Sequence, residues 1–204
     1  MARRRDLADQ QRRLSAATWS VLAERGLPGL TLRAVAERAG CTTGMVLHTF
    51  ADKQALLVHA RELLHRRTGK RADAAQAEAD TPRAALRAVL LQAASPTDTK
   101  REEARVWVGF LAAALADPVL AEQHRAYNRR FVDRVRGLVA AARPDWSPAH
   151  CAASAISLVA LVEGLNALAA VDPTTYPAEA QQVAIDAALA RIGEDGESGG
   201  RTKG

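Results

Sequence analysis

The sequence predicts an all-α protein: a nine-helix, two-domain subunit. Three observations carry that expectation. Hydrophobic residues make up 48% of the 204 positions but aromatics only 4%, so the core is built from Ala, Leu and Val; Ala and Leu are strong helix formers. No stretch alternates apolar and polar residues with the two-residue period of a strand. Prolines follow capping residues at Thr81-Pro82, Asp117-Pro118 and Ser147-Pro148, the arrangement that starts helices.

The elements follow in order. Residues 1–6, MARRRD, read as a short basic arm, expected to be solvated. Helix 1 runs from Leu7 to Arg25 with Leu14, Ala17, Val21 and Leu22 on one face, and Gly26 ends it. Thr31 caps helix 2, in which Leu32, Val35, Ala36 and Ala39 share a face. Gly40 supplies the left-handed exit, and Thr42 caps helix 3, which runs through Val46 toward Phe50. Asp52 caps helix 4, carrying Leu56, Leu57, Ala60, Leu63 and Leu64 to about Arg71; over residues 72–80 either the helix continues or a loop intervenes. Helix 5 spans Pro82 to about Ala94, and Ser95–Thr99 form a loop. Helix 6 presents Val106, Trp107, Phe110, Leu111, Ala114 and Leu115 as a stripe, and helix 7 reaches about Ala142. Helix 8 spans Pro148 to Val171, apolar nearly all round, as expected of a helix covered on every side. Residues 172–177 are a loop, helix 9 spans Ala178 to Ile192, and the tail 193–204 is expected to be disordered.

Helices 2 and 3 are the informative pair. Ala36 is small enough for a close crossing, Gly40 makes the turn, and Val46 plugs the angle. That is the pattern of a helix-turn-helix, whose second helix places its N-terminal residues on base edges. Here those residues are Thr42, Thr43, Gly44, Met45, Leu47 and His48. Two amphipathic helices around a glycine also describe an ordinary helical hairpin; charge distribution favours the DNA reading. Residues 1–71 hold 14 Lys/Arg against 6 Asp/Glu, a net of +8, whereas residues 72–204 hold 14 against 17, a net of −3. The positive charge lies with the helix-turn-helix, as phosphate neutralisation requires.

Other function classes find little support. The five histidines form no HExxH and no paired metal spacing, no glycine-rich phosphate loop occurs, and Cys41 and Cys151 sit in no nucleophile motif. No enzyme, metal or cofactor is expected. Cys41 is expected to pack as a small hydrophobe. A helical protein–protein adaptor is the alternative, but it leaves the charge partition without a reason. The basic N-terminus precedes no apolar h-region, and the longest apolar run, Cys151 to Val162, is shorter than a bilayer span. A cytoplasmic protein is expected.

GCTTGMVLHTFADKQALL, with TLRAVAERAG before it, resembles the signature of TetR-family transcriptional regulators. VWVGFLAAALADPVLAEQH at 106–124 and ISLVALVEGLNALAAVDP at 156–173 are similar to a BetI-type C-terminal domain. The resemblance implies a DNA-binding domain at 7–71 and a ligand-binding and dimerisation domain at 72–192. It implies a homodimer through helices 8 and 9 on a palindromic operator, and repression relieved by a small effector. By motif position Thr31 contacts phosphate, Arg33 lies toward the backbone, Thr42 and Thr43 begin the recognition helix, Met45 faces bases, His48 faces phosphate or base, and Lys53 grips phosphate. Arg3, Arg4 and Arg5 join the DNA-binding set. One departure stands out: the family commonly has Tyr where this chain has Leu47, which cannot donate to phosphate and either meets a thymine methyl or packs. Effector candidates among helices 5 to 8 are Trp107, Phe110, Leu111, His124, Tyr127, Asn128, Phe131, Glu163 and Asn166. The effector's identity is open; Glu163 with aromatic residues would suit a cation.

Overall fold

A computed structural model describes residues 2–94 and 97–194, without the side chains of 2–8, 98, 99, 193 and 194. Among the described residues there are nine helices and no strand: α1 (Ala2–Gly29), α2 (Leu32–Ala39), α3 (Thr43–Thr49), α4 (Lys53–Ala77), α5 (Pro82–Ala93), α6 (Asp98–Ala114), α7 (Pro118–Ala142), α8 (Pro148–Val171) and α9 (Ala178–Glu194). Local chemistry sets most boundaries. Thr81 Oγ1 accepts from the Ala84 N–H at 3.1 Å and Ser147 Oγ accepts from the His150 N–H at 3.2 Å, each with proline opening the helix behind it. Asp52 caps α4 through the Ala55 N–H at 2.8 Å. Gly26 breaks α1, with φ 64° and ψ −173°, a backbone geometry that favours glycine.

Two expectations change here. The basic arm is no separate segment: the α1 backbone is helical from Ala2, so Arg3, Arg4 and Arg5 belong to its opening turns. The run 72–80 resolves mainly as helix, because α4 continues to Ala77. Of the tail expected to be disordered at 193–204, residues 193 and 194 continue α9 and 195–204 lie outside the described residues; of the predicted loop 95–99, residues 98 and 99 open α6, and Ser95 and Pro96 lie outside the described residues.

The chain packs as two compact units. Unit one is Met1–Arg67 with Glu102–Tyr127, and unit two is Thr68–Arg101 with Asn128–Gly204. This packing does not follow a division at residue 71/72. Val106 and Phe110 of α6 and Leu120 of α7 are buried in one core with Leu14, Val21, Leu22, Leu30, Val35, Val46, Leu56 and Leu64. Gln54 at the start of α4 donates to Asp117, the cap of α7, at 3.1 Å, and Gln123 donates to the Val58 carbonyl at 3.4 Å. These are long-range contacts that no local pattern announces.

Unit two buries Leu86, Leu90, Val135, Val139, Ala155, Val162, Ile185 and Leu189 in its own core. Arg87 on α5 grips Asp186 on α9 with two parallel bonds, Nε–Oδ1 at 2.6 Å and the second at 2.8 Å. At 24 residues α8 is long and apolar enough by composition to cross a bilayer, which the shorter run Cys151–Val162 understates. Its inner face, however, packs into the core shared with α5, α7 and α9. Its other face is bare: Ile156 is 60%, Leu168 48% and Val171 82% exposed. Within the subunit, α8 is therefore not covered on every side.

Candidate nucleic-acid interface

The turn between α2 and α3 is built by three residues. Thr31, in extended conformation, caps α2 by accepting from the Ala34 N–H at 3.1 Å. Gly40 leaves the helix at φ 62° and ψ 42°; its N–H reaches the Glu37 carbonyl at 3.2 Å and the Cys41 N–H reaches the Ala36 carbonyl at 3.0 Å. That pair of bonds satisfies the carbonyls a helix end leaves over. Thr42 then caps α3 by accepting from the Met45 N–H at 3.2 Å. Each threonine cap contributes about 1 kcal/mol. Ala34, Val35, Ala36, Val46 and Phe50 are buried, and Cys41 is half-buried against the same core.

Side chains brace this pair against α1. Arg38 donates to Ser20 Oγ at 2.6 Å and pairs with the Glu24 carboxylate, whose pKa the Arg38 hydrogen bond lowers. Arg13 donates to the Ala39 carbonyl at 2.8 Å, closing the end of α2. Arg13 and Arg38 thus work inside the unit. Arg33 and Lys53 are exposed, as are Thr31, Thr42, Thr43, Gly44, Met45, Leu47 and His48. The side chains of Arg3, Arg4 and Arg5 lie outside the described residues.

The seven residues of α3 divide cleanly. At roughly 100° per residue, Gly44 and His48 point away from buried Val46, while Met45 and Leu47 occupy the two flanks. Met45 is 42% and Leu47 44% exposed, so Leu47 is not packed. Gly44 has no internal reason to be glycine. Its φ is not positive, and a Cβ placed there would meet only Thr42 Oγ1, at 3.8 Å. In the first turn of α3 a side chain would fit at this position, so the bare backbone is suited to close approach by another molecule.

The N-terminal part of the chain, residues 14–60, matches the family model described as bacterial regulatory proteins, tetR family. Residues 82–194 match the model of the BetI-type transcriptional repressor C-terminal domain. The chain belongs to the TetR family. A curated relative, the HTH-type transcriptional regulator BetI of Burkholderia mallei (strain NCTC 10229), is 34% identical over 154 residues, covering 73% of this chain and 75% of its own. A transcriptional regulator from Rhodococcus sp. Rha1 superposes with a TM-score of 0.78 at 30% identity, covering 89% of this chain and 94% of that one. A regulator from Saccharomonospora viridis, solved in complex with choline, shares the fold with a TM-score of 0.80 at 16% identity, covering 90% and 96%. The protein is thus a helix-turn-helix transcriptional regulator, of a family that binds DNA operators and is generally dimeric and ligand-responsive.

The effector candidates divide between the two units. Trp107, Phe110, Leu111, His124 and Tyr127 belong to unit one; Asn128, Phe131, Glu163 and Asn166 belong to unit two. In unit one, Phe110, Tyr127 and His124 lie about a residue that sequence reasoning missed. Arg61 of α4 is only 6% exposed. Its guanidinium lies 4.9 Å from the Tyr127 ring centroid and 5.9 Å from that of Phe110. Tyr127 also stacks on His65 at 3.8 Å. Burial, reinforced by Arg61, lowers the pKa of His124. A signal was present: Arg61 falls four residues after Leu57 and three before Leu64, on the apolar stripe of α4. In unit two Asn166 is buried and Glu163 half-buried on α8.

Proposed function

We propose that this TetR-family regulator is a repressor that binds a palindromic operator as a two-fold dimer and is released by a small effector. The observation that carries the reading is the solvent-facing surface of α3, capped at Thr42 and set in a segment of net charge +8. In this reading Thr42, Thr43, Gly44, Met45, Leu47 and His48 enter the major groove. Thr31, Arg33 and Lys53 meet phosphates, with Arg3, Arg4 and Arg5 beside them. Residues 7–71 act as the DNA-binding domain and 72–192 as the effector and dimerisation domain. A cytoplasmic location follows from the operator as partner.

Dimerisation is assigned to α8 and α9. Ala149, Ala153, Ile156, Ala160, Leu168 and Val171 recur on the exposed side of α8 at helical spacing. The Ser157 hydroxyl among them turns back to the Ala153 carbonyl at 3.1 Å, which makes the stripe effectively apolar. On α9, Val183 and Ala187 are exposed while Ile185, Leu189 and Ile192 are buried. A self-complementary apolar patch is what an isologous dimer needs, and a dimer can set two α3 helices about 34–36 Å apart in successive major grooves.

The effector is assigned to unit two, with Phe131, Glu163 and Asn166 as its candidate contacts. The Phe110 and Tyr127 rings are already engaged by Arg61, so they are poorly suited to caging a second cation. The choline of the Saccharomonospora viridis structure does not transfer at 16% identity.

The experiment is fluorescence anisotropy of the full chain with the DNA flanking its gene at two salt concentrations. Tight binding to a palindrome that weakens steeply with salt is expected. Absence of binding at low salt rules the reading out.

A further inference from the structure

Reading DNA in the major groove normally uses side chains that pair two hydrogen bonds with one base: Arg or Lys on guanine, Asn or Gln on adenine. The sequence of α3, TGMVLHT, has none of these. Its polar groups are few. The Thr49 hydroxyl donates back to the Met45 carbonyl at 3.5 Å, and the Thr42 oxygen before the helix is taken up by the cap. Thr43, His48 and the Thr42 O–H, which the cap leaves able to donate, are what remains for hydrogen bonding to bases, and none of them makes a paired contact with one base. The helix instead offers two apolar side chains to solvent, Met45 and Leu47, one on each flank of the Gly44–His48 line. Gly44 carries no Cβ between them, so the backbone can sit deep enough for both to reach base edges. One apolar feature exists on a base edge in this groove, the C5-methyl group of thymine.

We propose that α3 identifies its operator through thymine C5-methyl groups, one set against Leu47 and one against Met45 in each half-site. This deepens the DNA-binding reading and rests on it. The two methyls lie on opposite sides of the helix axis, so they belong to different base pairs. Thr43 and His48 add hydrogen bonds that orient the helix, and the backbone above Gly44 rests close to the pair between the two thymines. The same methyl occurs on 5-methylcytosine, and the experiment separates the sources by using unmethylated DNA throughout.

The full-length protein is used to select duplexes from a random, unmethylated pool at about physiological salt. Affinity is then measured on the selected duplex with each thymine replaced in turn by deoxyuridine, which removes only the methyl. Two positions per half-site are expected to respond, each by about fourfold, the value of one buried methyl. Leu47→Ala abolishes the response at one position and Met45→Ala at the other, each leaving the other response intact. Both side chains are exposed, so the variants keep the wild-type melting temperature. A selected site without thymine in its half-sites, or one that tolerates uracil at every position within twofold, overturns the proposal while leaving DNA binding in place. Selection that retains no duplex overturns both.

Discussion

Helices α3 and α8 both present large apolar side chains to water, and the contrast between them separates two kinds of partner. On α3 the exposed pair is Met45 and Leu47; on α8 it is a stripe through Ile156, Leu168 and Val171, extended on α9 by Val183. The α3 pair is separated by a glycine and a histidine and lies in a segment of net charge +8. The α8 stripe recurs along most of a 24-residue helix, with Ser157 and half-buried Glu163 beside it, and lies in a segment of net charge −3. An isolated apolar group in a positive field fits a polyanion with a few methyls on its surface. A long, mainly apolar stripe in a weakly negative region fits another apolar protein face.

The largest test of this contrast is at the stripe. Ile156→Asp places a charge on the stripe of the proposed isologous contact, and symmetry buries a second one in the same interface. Sedimentation velocity should show a monomer, and operator affinity should fall by roughly 10²-fold or more as the linked half-sites become independent. A dimeric Ile156→Asp protein would show that the stripe is covered by something else. The helix itself should keep its far-UV signal, since Ile156 makes little contact within its own subunit.

The second test is at α3. Gly44→Ala adds a methyl into open space, so thermal stability should hold or rise. Against DNA the same methyl overpacks a close contact, for about 1–3 kcal/mol, or roughly 5- to 150-fold in affinity. An alanine variant that binds as well as the parent would mean that nothing approaches this backbone. The two tests are complementary: one change alters assembly and thereby DNA binding, the other alters DNA binding alone.

How much of this was legible in the sequence differs between the two helices for a physical reason. Caps at Thr31, Thr42, Thr81 and Ser147 are local: one side chain satisfies an N–H three residues on, so residue type and spacing suffice. The α8 stripe was visible as excess hydrophobicity, because a helix apolar on all sides exceeds what one core can absorb. The exposure of Leu47 was not, since leucine packs or reads methyls equally well by sequence and only the orientation of α3 on its core decides. Nor was the packing of Glu102–Tyr127 with the DNA-reading helices, which depends on Phe110 and Leu120 meeting residues far away in the chain. Arg61 sat in plain view on the apolar stripe of α4, but its meaning came only with the Phe110 and Tyr127 rings.

A smaller effect distinguishes phosphate contact from base reading. Lys53 is exposed and opens α4, outside the recognition helix itself. Lys53→Ala should lower affinity a few-fold on every DNA sequence alike and reduce the slope of log affinity against log salt by about 0.9. A change of sequence preference in this variant would move Lys53 into the base-reading set.

The smallest effect extends the comparison from the two helices to the two units, through acid. In unit one, His59 on α4 lies with Nε2 3.0 Å from Ser15 Oγ and its ring 4.9 Å from Phe50, directly after α3. Burial, and then Arg66, lower its pKa below 6.5, partly offset by Glu62, and burial lowers that of His124 likewise. A histidine depressed in the folded state contributes stability that is present above the unfolded pKa and is lost as pH falls from there toward the folded value. Unit one should therefore begin to soften just below pH 6.5. In unit two the lowered groups are carboxylates: Asp145, held to about 2 by the Arg143 hydrogen bond, Asp172, held to about 2 by Thr174 and Thr175, and Asp186, lowered by the Arg87 hydrogen bond. A depressed carboxylate contributes above its unfolded pKa and is lost as pH falls through its folded one, so this contribution fades only below about pH 4. Hydrogen exchange, corrected for intrinsic rates, at pH 7.5, 6 and 5 should show α1, α3 and the first half of α4 losing protection before α8 and α9. His59→Gln should remove part of that early loss without touching α8. Loss of protection in α8 first would reverse the assignment of acid sensitivity to the DNA-reading unit.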